Sequence, residues 1–229
     1  LLRTEHGTHA LEYLTNRGLT EDTINRFGLG FADVYRDDLY KYLKNKGYKD
    51  EEMKNSGLIR FDEKYGASDQ FWNRVMYPIV DTNNRVIGFG GRVMGDGKPK
   101  YINTQETPVF DKSRNLYGLN FAKKSKRPGI IFCEGYMDVI SMHQAGFDNA
   151  VASLGTALTP GQVNLIKRYT DRVYLAYDSD EAGTKAALRA LGIMREFEMP
   201  ARVISLKPYK DPDELIQAEG TESFERRIE

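Results

Sequence analysis

Three short acidic groups stand out in the second half of the chain. Glu134 is followed four residues later by Asp138 in EGYMD, Asp178 and Asp180 sit in YDSDEAG, and Asp211, Asp213 and Glu214 lie together in KDPDE. Carboxylates gathered at one place raise each other's pKa, and a divalent cation resolves that conflict. An all-oxygen donor set selects Mg²⁺ or Mn²⁺ over zinc, and Mg²⁺ usually bridges a few carboxylates to substrate phosphates. In a locally extended segment residues i and i+2 project to the same side, so Asp178 and Asp180 can address one cation or two adjacent ones. Each acid also has an ordinary structural reading. Asp180 can cap a helix beginning near 182, Asp213 can cap ELIQAE, and Glu134 can simply end a strand.

The candidate cations lie earlier. Arg74 sits in FWNRVMYP, Arg92 ends GFGGR, Lys100 is in PKYIN and Lys112 is in VFDKSRN. Gly88, Gly90 and Gly91 would let the backbone approach a phosphate chain or a second strand, although glycines at a bulge look the same. Trp72, Tyr101 and Phe110 are interleaved with these cations, as in nucleic-acid grooves, and Trp72 reads equally well as core. Residues 1–129 hold 22 Lys and Arg against 17 Asp and Glu, residues 130–229 hold 11 against 16, and 85–127 holds 10 against 3. A basic half beside an acidic half suits a protein that handles polyanions and metal cations, and two solvated faces of opposite sign give the same count. His6, His9 and His143 have no partners at metal-ligand spacing. Cys133, the only cysteine, lies in an apolar run and reads as a small buried residue.

The elements that must position these groups follow from the periodicity. Residues 8–17, 20–27, 36–48 and 49–55 read as helices, with Leu39, Leu43 and Met53 inward. Between 58 and 102 short apolar runs broken by Asp, Asn and Gly read as strands, with a hairpin turn at Asn83-Asn84. From 129 the apolar runs 129–133, 149–153, 172–177 and 201–206 alternate with helical stretches 136–146, 159–170 and 182–197, and ESFERRIE begins a last helix. This alternation predicts βαβ units in a mainly parallel sheet. Three of the four runs are followed by an acidic group, and in such a sheet strand C-termini share one edge. Asp148 and Asp171 precede strands and belong at the opposite edge. The expected divisions are a basic α+β subdomain at 1–127, an α/β domain at 128–215 and the start of a helical region at 216–229. At 229 residues, 40% hydrophobic and 29% charged, the composition is that of a globular chain with a sizeable core. No apolar run reaches 18 residues and no signal-peptide pattern opens the chain, so no membrane role is expected, and the missing initial Met suggests a piece or processed form.

EGYMDVI at 134–140, SLGTALT at 153–159, YDSDEAG at 177–183 and KDPDELI at 210–216 resemble the TOPRIM domain, shared by bacterial primases, type IA and II topoisomerases, and some nucleases and recombination mediators. NRVMYPIVD, RVIGFGGRV, PKYINTQET and FDKSRNLYGLNFA, with YLTNRGLT and FGLGFA ahead of them, resemble the catalytic core of bacterial DnaG-type primases. The resemblance covers nearly the whole chain. It implies an α/β fold, an α+β N-terminal subdomain followed by a Rossmann-like, mainly parallel TOPRIM sheet with flanking helices. It also implies metal-dependent nucleotidyl transfer that makes short RNA primers on single-stranded DNA from ribonucleoside triphosphates.

On that resemblance Glu134, Asp178 and Asp180 are the principal catalytic metal ligands, and Asp138, Asp211 and Asp213 complete the acidic site. Two or more Mg²⁺ ions, replaceable by Mn²⁺, are expected, with no zinc. Arg74, Lys100, Lys112 and Asp138 are expected to bind nucleotide, and Arg74, Arg92, Lys100, Tyr101 and Asn103 nucleic acid. The expected partners are template, primer, a replicative helicase reached through a C-terminal domain outside this sequence, and an inhibitory alarmone, all in a bacterial cytoplasmic replisome. On the same resemblance, the family's zinc-binding N-terminal domain is expected to lie outside the residues of this sequence. A TOPRIM topoisomerase or nuclease, a haloacid-dehalogenase-like phosphatase with its own Asp-x-Asp, and a non-catalytic binding module are the alternatives.

Overall fold

The structure, a computed structural model, describes residues 1–229 and divides into two compact units, Leu1–Ile79 with Val86–Asp111, and Val80–Arg85 with Lys112–Glu229. The first unit opens with helices α1 (Thr8–Asn16) and α2 (Glu21–Arg26), the latter capped by Thr20, whose hydroxyl accepts from the Thr23 amide. Strand β1 (Gly30–Ala32), helices α3 (Asp38–Asn45) and α4 (Asp50–Asn55), and a hairpin of β2 (Ile59–Asp62) and β3 (Gly66–Asp69) follow. Next come β4 (Arg74–Val80), β5 (Val86–Val93) and β6 (Tyr101–Asn103), which form a sheet of order β1-β4-β5-β6.

The expected turn lies between β4 and β5. Asn84 has φ +62°, and Asp81 Oδ1 accepts from the Asn83 and Arg85 amides. Met53 is buried as expected, whereas α3 buries no residue fully, so Leu39 and Leu43 are half-buried. Both oxygens of Asp69, at the end of β3, cap α3 by accepting from the Leu39 and Tyr40 amides at 2.8 and 2.9 Å.

The second unit contains α5 (Leu119–Ala122), β7 (Ile130–Cys133), α6 (Tyr136–Gln144), β8 (Ala150–Ala152), α7 (Pro160–Ile166), β9 (Val173–Ala176), α8 (Glu181–Glu196), β10 (Ala201–Val203), α9 (Pro212–Glu219) and α10 (Thr221–Ile228). Its sheet has the order β10-β9-β7-β8 with every pair parallel. Helix α7 ends four residues short of the expected span, and β10 is three residues long, although the Ile204 amide still bonds to the Leu175 carbonyl. Apart from Val80–Arg85, the unit begins at Lys112, ahead of the basic stretch 123–129, because residues 112–117 are built onto its sheet and α7. Tyr117 bridges Ala152, and the fully buried Gln162 amide donates to the Lys112 and Asn115 carbonyls. Phe132, Val151, Val163, Ile166, Leu175 and Met194 close the core between the sheet and its helices.

Candidate metal and nucleotide site

In the second unit the chain leaves β7 toward β8 on one side and leaves β9 toward β10 on the other. The switch point therefore falls between β7 and β9, where ligand crevices form at strand C-termini in open α/β sheets. Glu134 is the first residue past β7, and Asp178 and Asp180 lie just past β9. The Asp178 amide donates to Glu134 Oε1 at 2.9 Å. Asp180 Oδ1 caps α8 through the Gly183 amide at 2.8 Å, so its expected structural role holds and its second oxygen is left over. Asp138 Oδ2 accepts from the Gly135 amide at 3.0 Å at the start of α6. Asp211, from the segment after β10, caps α9 through the Glu214 amide at 2.9 Å, with Pro212 at the first helical position.

Electrostatics tie these groups together. Asp138 is pushed up to about 7, first by burial and then by the charges of Asp178 and Asp211. Glu134 is raised by burial and by Asp178. Asp178 is raised by burial and by Asp211, against a lowering pull from Lys210. Lys210 places its ammonium 3.5 Å from Asp178 Oδ2. Glu134, Asp138, Asp178, Asp180 and Asp211 thus form one interacting group. Asp213, the second residue of α9, accepts from the Gln217 side-chain Nε2 at 3.0 Å. The cap of α9 is accordingly Asp211 rather than Asp213.

No three of these carboxylates close around a point as a preformed metal cage. The donor set is all oxygen, its members repel one another, and those engaged with backbone amides keep a second oxygen. These features fit a hard, hydrated cation that takes one or two carboxylates and completes its shell with phosphate oxygens and water.

The basic candidates separate by burial. Arg74 is 5% exposed, and its guanidinium donates to the carbonyls of Gly91, Pro99 and Lys100 at 3.1–3.3 Å. Its hydrogen bonds hold the β5–β6 connection. Arg92 stacks over Tyr13 at 4.0 Å and donates to the Val93 carbonyl. Lys100 is exposed, Tyr101 is 40% exposed, and Asn103 is half-buried at the end of β6. Lys112 is half-buried on a short 3₁₀ turn held by Gln162.

Gly88 and Gly91 are buried against protein. A Cβ on Gly88 would meet Phe110 at 3.2 Å, and one on Gly91 would sit 2.6 Å from Phe71, so internal packing requires these glycines. Trp72 is half-buried under the Arg36 guanidinium, and Phe110 is core. His6 pairs with Asp33, His143 bonds the Ala150 carbonyl, and Cys133 is buried with its thiol pushed well up. Lys210, Ser179 and Gln162 organise this unit without any spacing pattern that marks them in the sequence.

Residues 1–123 match the family model described as "DNA primase catalytic core, N-terminal domain", and residues 131–216 match "Toprim-like". DNA primase of Clostridium acetobutylicum is 46% identical over 226 residues, and that of Escherichia coli K12 is 40% identical over 227. The alignments cover 98% and 97% of this chain but 38% and 39% of those proteins, so the chain spans less than half their length. The Escherichia coli primase catalytic core superposes with a TM-score of 0.90 at 40% identity, covering 99% of this chain and 74% of that one. A solved DnaG primase catalytic domain bound to single-stranded DNA gives 0.88 at 40% identity, with 99% and 73% covered. With family models matching both halves and 40% identity to solved catalytic cores, the chain belongs to the DnaG-type DNA primase catalytic-core family.

Proposed function

We propose that this chain is the nucleotidyl-transfer core of a primase, joining ribonucleoside triphosphates into short RNA primers on single-stranded DNA with release of pyrophosphate. The observation that carries this reading is the convergence of Glu134, Asp138, Asp178, Asp180 and Asp211 at the switch point of a Toprim-like sheet. The oxygens that the carboxylates keep clear of backbone amides would hold Mg²⁺, replaceable by Mn²⁺. Bound there, the cation lowers the pKa of a primer 3′-hydroxyl and neutralises charge on the triphosphate.

The other roles belong to the chain's own cations. Lys100 and Lys112 offer point charges to nucleotide phosphates, and Arg92, Tyr101 and Asn103 line the path of the nucleic acid. Arg74 keeps the strand bearing Lys100 in register. In this reading residues 1–127 handle template and nucleotide, 128–215 carry the chemistry, and 216–229 begin a helical region. Lysines that accept a triphosphate also accept a purine polyphosphate alarmone, which would compete for the same place. A replicative helicase would be met through parts of the protein that lie outside this sequence, in the bacterial cytoplasm. No helix is long and apolar enough to cross a membrane.

The test is template-directed incorporation of labelled ribonucleotides with Mg²⁺, run beside a strand-cleavage assay on the same DNA. Cleavage without incorporation, at saturating DNA and low salt, would favour a TOPRIM nuclease and defeat the reading.

A further inference from the structure

Lys210 is fixed at its backbone and loose at its tip. Its amide donates to Glu214 Oε2 at 2.6 Å, and its carbonyl accepts from the Ser179 amide at 2.7 Å and from the Ser179 hydroxyl at 3.0 Å. The same hydroxyl bonds the Tyr209 carbonyl. These bonds lock the 209–210 segment against the Asp178–Asp180 loop. The segment is held on its far side as well, where the Arg227 guanidinium on α10 donates to the Ser205 and Lys207 carbonyls at 2.8 and 2.9 Å. The backbone is therefore anchored so that the ammonium falls 3.5 Å from Asp178 Oδ2, while the side chain remains 64% exposed and Asp178 only 18%.

Lys210 thus forms an ion pair to a member of the carboxylate group on a side chain that is largely in water. An exposed pair of this kind contributes little to stability, as a replaceable counter-ion requires. We propose that Lys210 is an internal stand-in for the divalent cation: its ammonium neutralises Asp178 when the metal is away and must withdraw for the metal to bind. This rests on the metal reading of the carboxylates given above. The consequence is competition. The ammonium screens the repulsion that would otherwise spread Glu134, Asp178 and Asp211, and it weakens the binding of free cation. Tight metal binding is thereby reserved for the moment when nucleotide phosphates supply further ligands. Lys210 acts through Asp178 and is a positioning residue, not a catalytic one.

The experiment is Mn²⁺ titration of the nucleotide-free protein by calorimetry and electron paramagnetic resonance, with chelator-treated melting curves alongside. Lys210→Gln should bind Mn²⁺ about three- to tenfold more tightly than wild type, with little change of melting temperature in chelator and a larger rise on adding Mn²⁺. Lys210→Arg, which keeps the charge, should restore the wild-type affinity. Because the backbone bonds do not involve the side chain, both variants should fold. Equal or weaker Mn²⁺ binding by Lys210→Gln overturns the stand-in role alone. Wild-type Mn²⁺ binding that is absent, or indifferent to Asp178→Asn, overturns the metal reading and this inference together.

Discussion

The Asp178 amide donates to Glu134 Oε1 at 2.9 Å, and this bond joins the loops that leave the two strands flanking the switch point. It fixes one oxygen of Glu134 and leaves the other for a ligand. It also brings the Asp178 carboxylate near enough that its charge raises the cost of ionising Glu134.

Neutral isosteres separate the charge from the scaffold. Glu134→Gln keeps an acceptor for the Asp178 amide, and Asp180→Asn keeps one for the Gly183 amide. Together with Asp178→Asn they should reduce ribonucleotide joining by on the order of 10²-fold or more. Melting temperature in chelator should stay level or rise, because a repelling charge has gone. Joining at near wild-type rate by any of the three would falsify the assignment.

A methyl group can test the same bond without touching a charge. A Cβ on Gly183 would collide with the Asp178 carbonyl oxygen and approach Glu134 Oε1 to 2.7 Å. Gly183→Ala should push the two loops apart and weaken Mn²⁺ binding several-fold, although alanine is otherwise the better helix residue. Gly192, with nothing near a Cβ, is the control, and Gly192→Ala should be neutral or stabilising. Equal behaviour of the two variants in the metal titration would count against the close approach at Gly183.

Asp138 makes stability pH-dependent in the metal-free protein. Its folded pKa is about 7 against an unfolded value near 3.8. Between those values the folded state holds a proton that the unfolded chain has lost, so stability falls as pH rises from about 4 to 7 and levels above. Asp138→Asn should remove that slope while keeping the acceptor for the Gly135 amide, gaining roughly 1–3 kcal/mol at pH 7.5 and little at pH 4.5. Urea denaturation at the two pH values, in chelator, provides the comparison, and parallel curves for variant and wild type would contradict it.

Arg74 should matter chiefly for stability. Arg74→Met removes the guanidinium donor from the Gly91, Pro99 and Lys100 carbonyls, of which Lys100 keeps the Val93 amide, at a cost of about 2–4 kcal/mol. A variant as stable as wild type that has lost only DNA binding would instead show Arg74 to be a nucleic-acid ligand.

Binding to single-stranded DNA should run mainly through phosphates and fall steeply with salt. Each contact contributes a slope of about −0.7 in log affinity against log salt. Arg92→Ala should weaken binding to all sequences alike and flatten the slope by roughly one contact. It should also lose the stacking on Tyr13, a stability cost of about 0.5–1 kcal/mol. Affinity measured by anisotropy from low to moderate salt decides, and a salt-independent constant would exclude a phosphate-based interface.

Periodicity along the chain was enough to place the alternating strands and helices after residue 129, the Asn83-Asn84 turn, and the acidic groups beyond three strand ends. Those features depend on neighbours a few residues apart, which is the range over which repeats of two and 3.6 residues act. The helical stretch expected at 182–197 is α8 at Glu181–Glu196 for that reason. What side chains meet across the fold is set instead by crossover order and burial. Asp69 caps a helix some thirty residues earlier, Arg74 turns inward to three carbonyls, and Asp211 rather than Asp213 caps α9. Lys210 reaches Asp178 only because the parallel pairing of β9 with β10 brings their following loops to the same edge. Charge and spacing announced an acidic edge; the packing of the loops beyond β9 and β10 decided which carboxylates share it and which lysine stands among them.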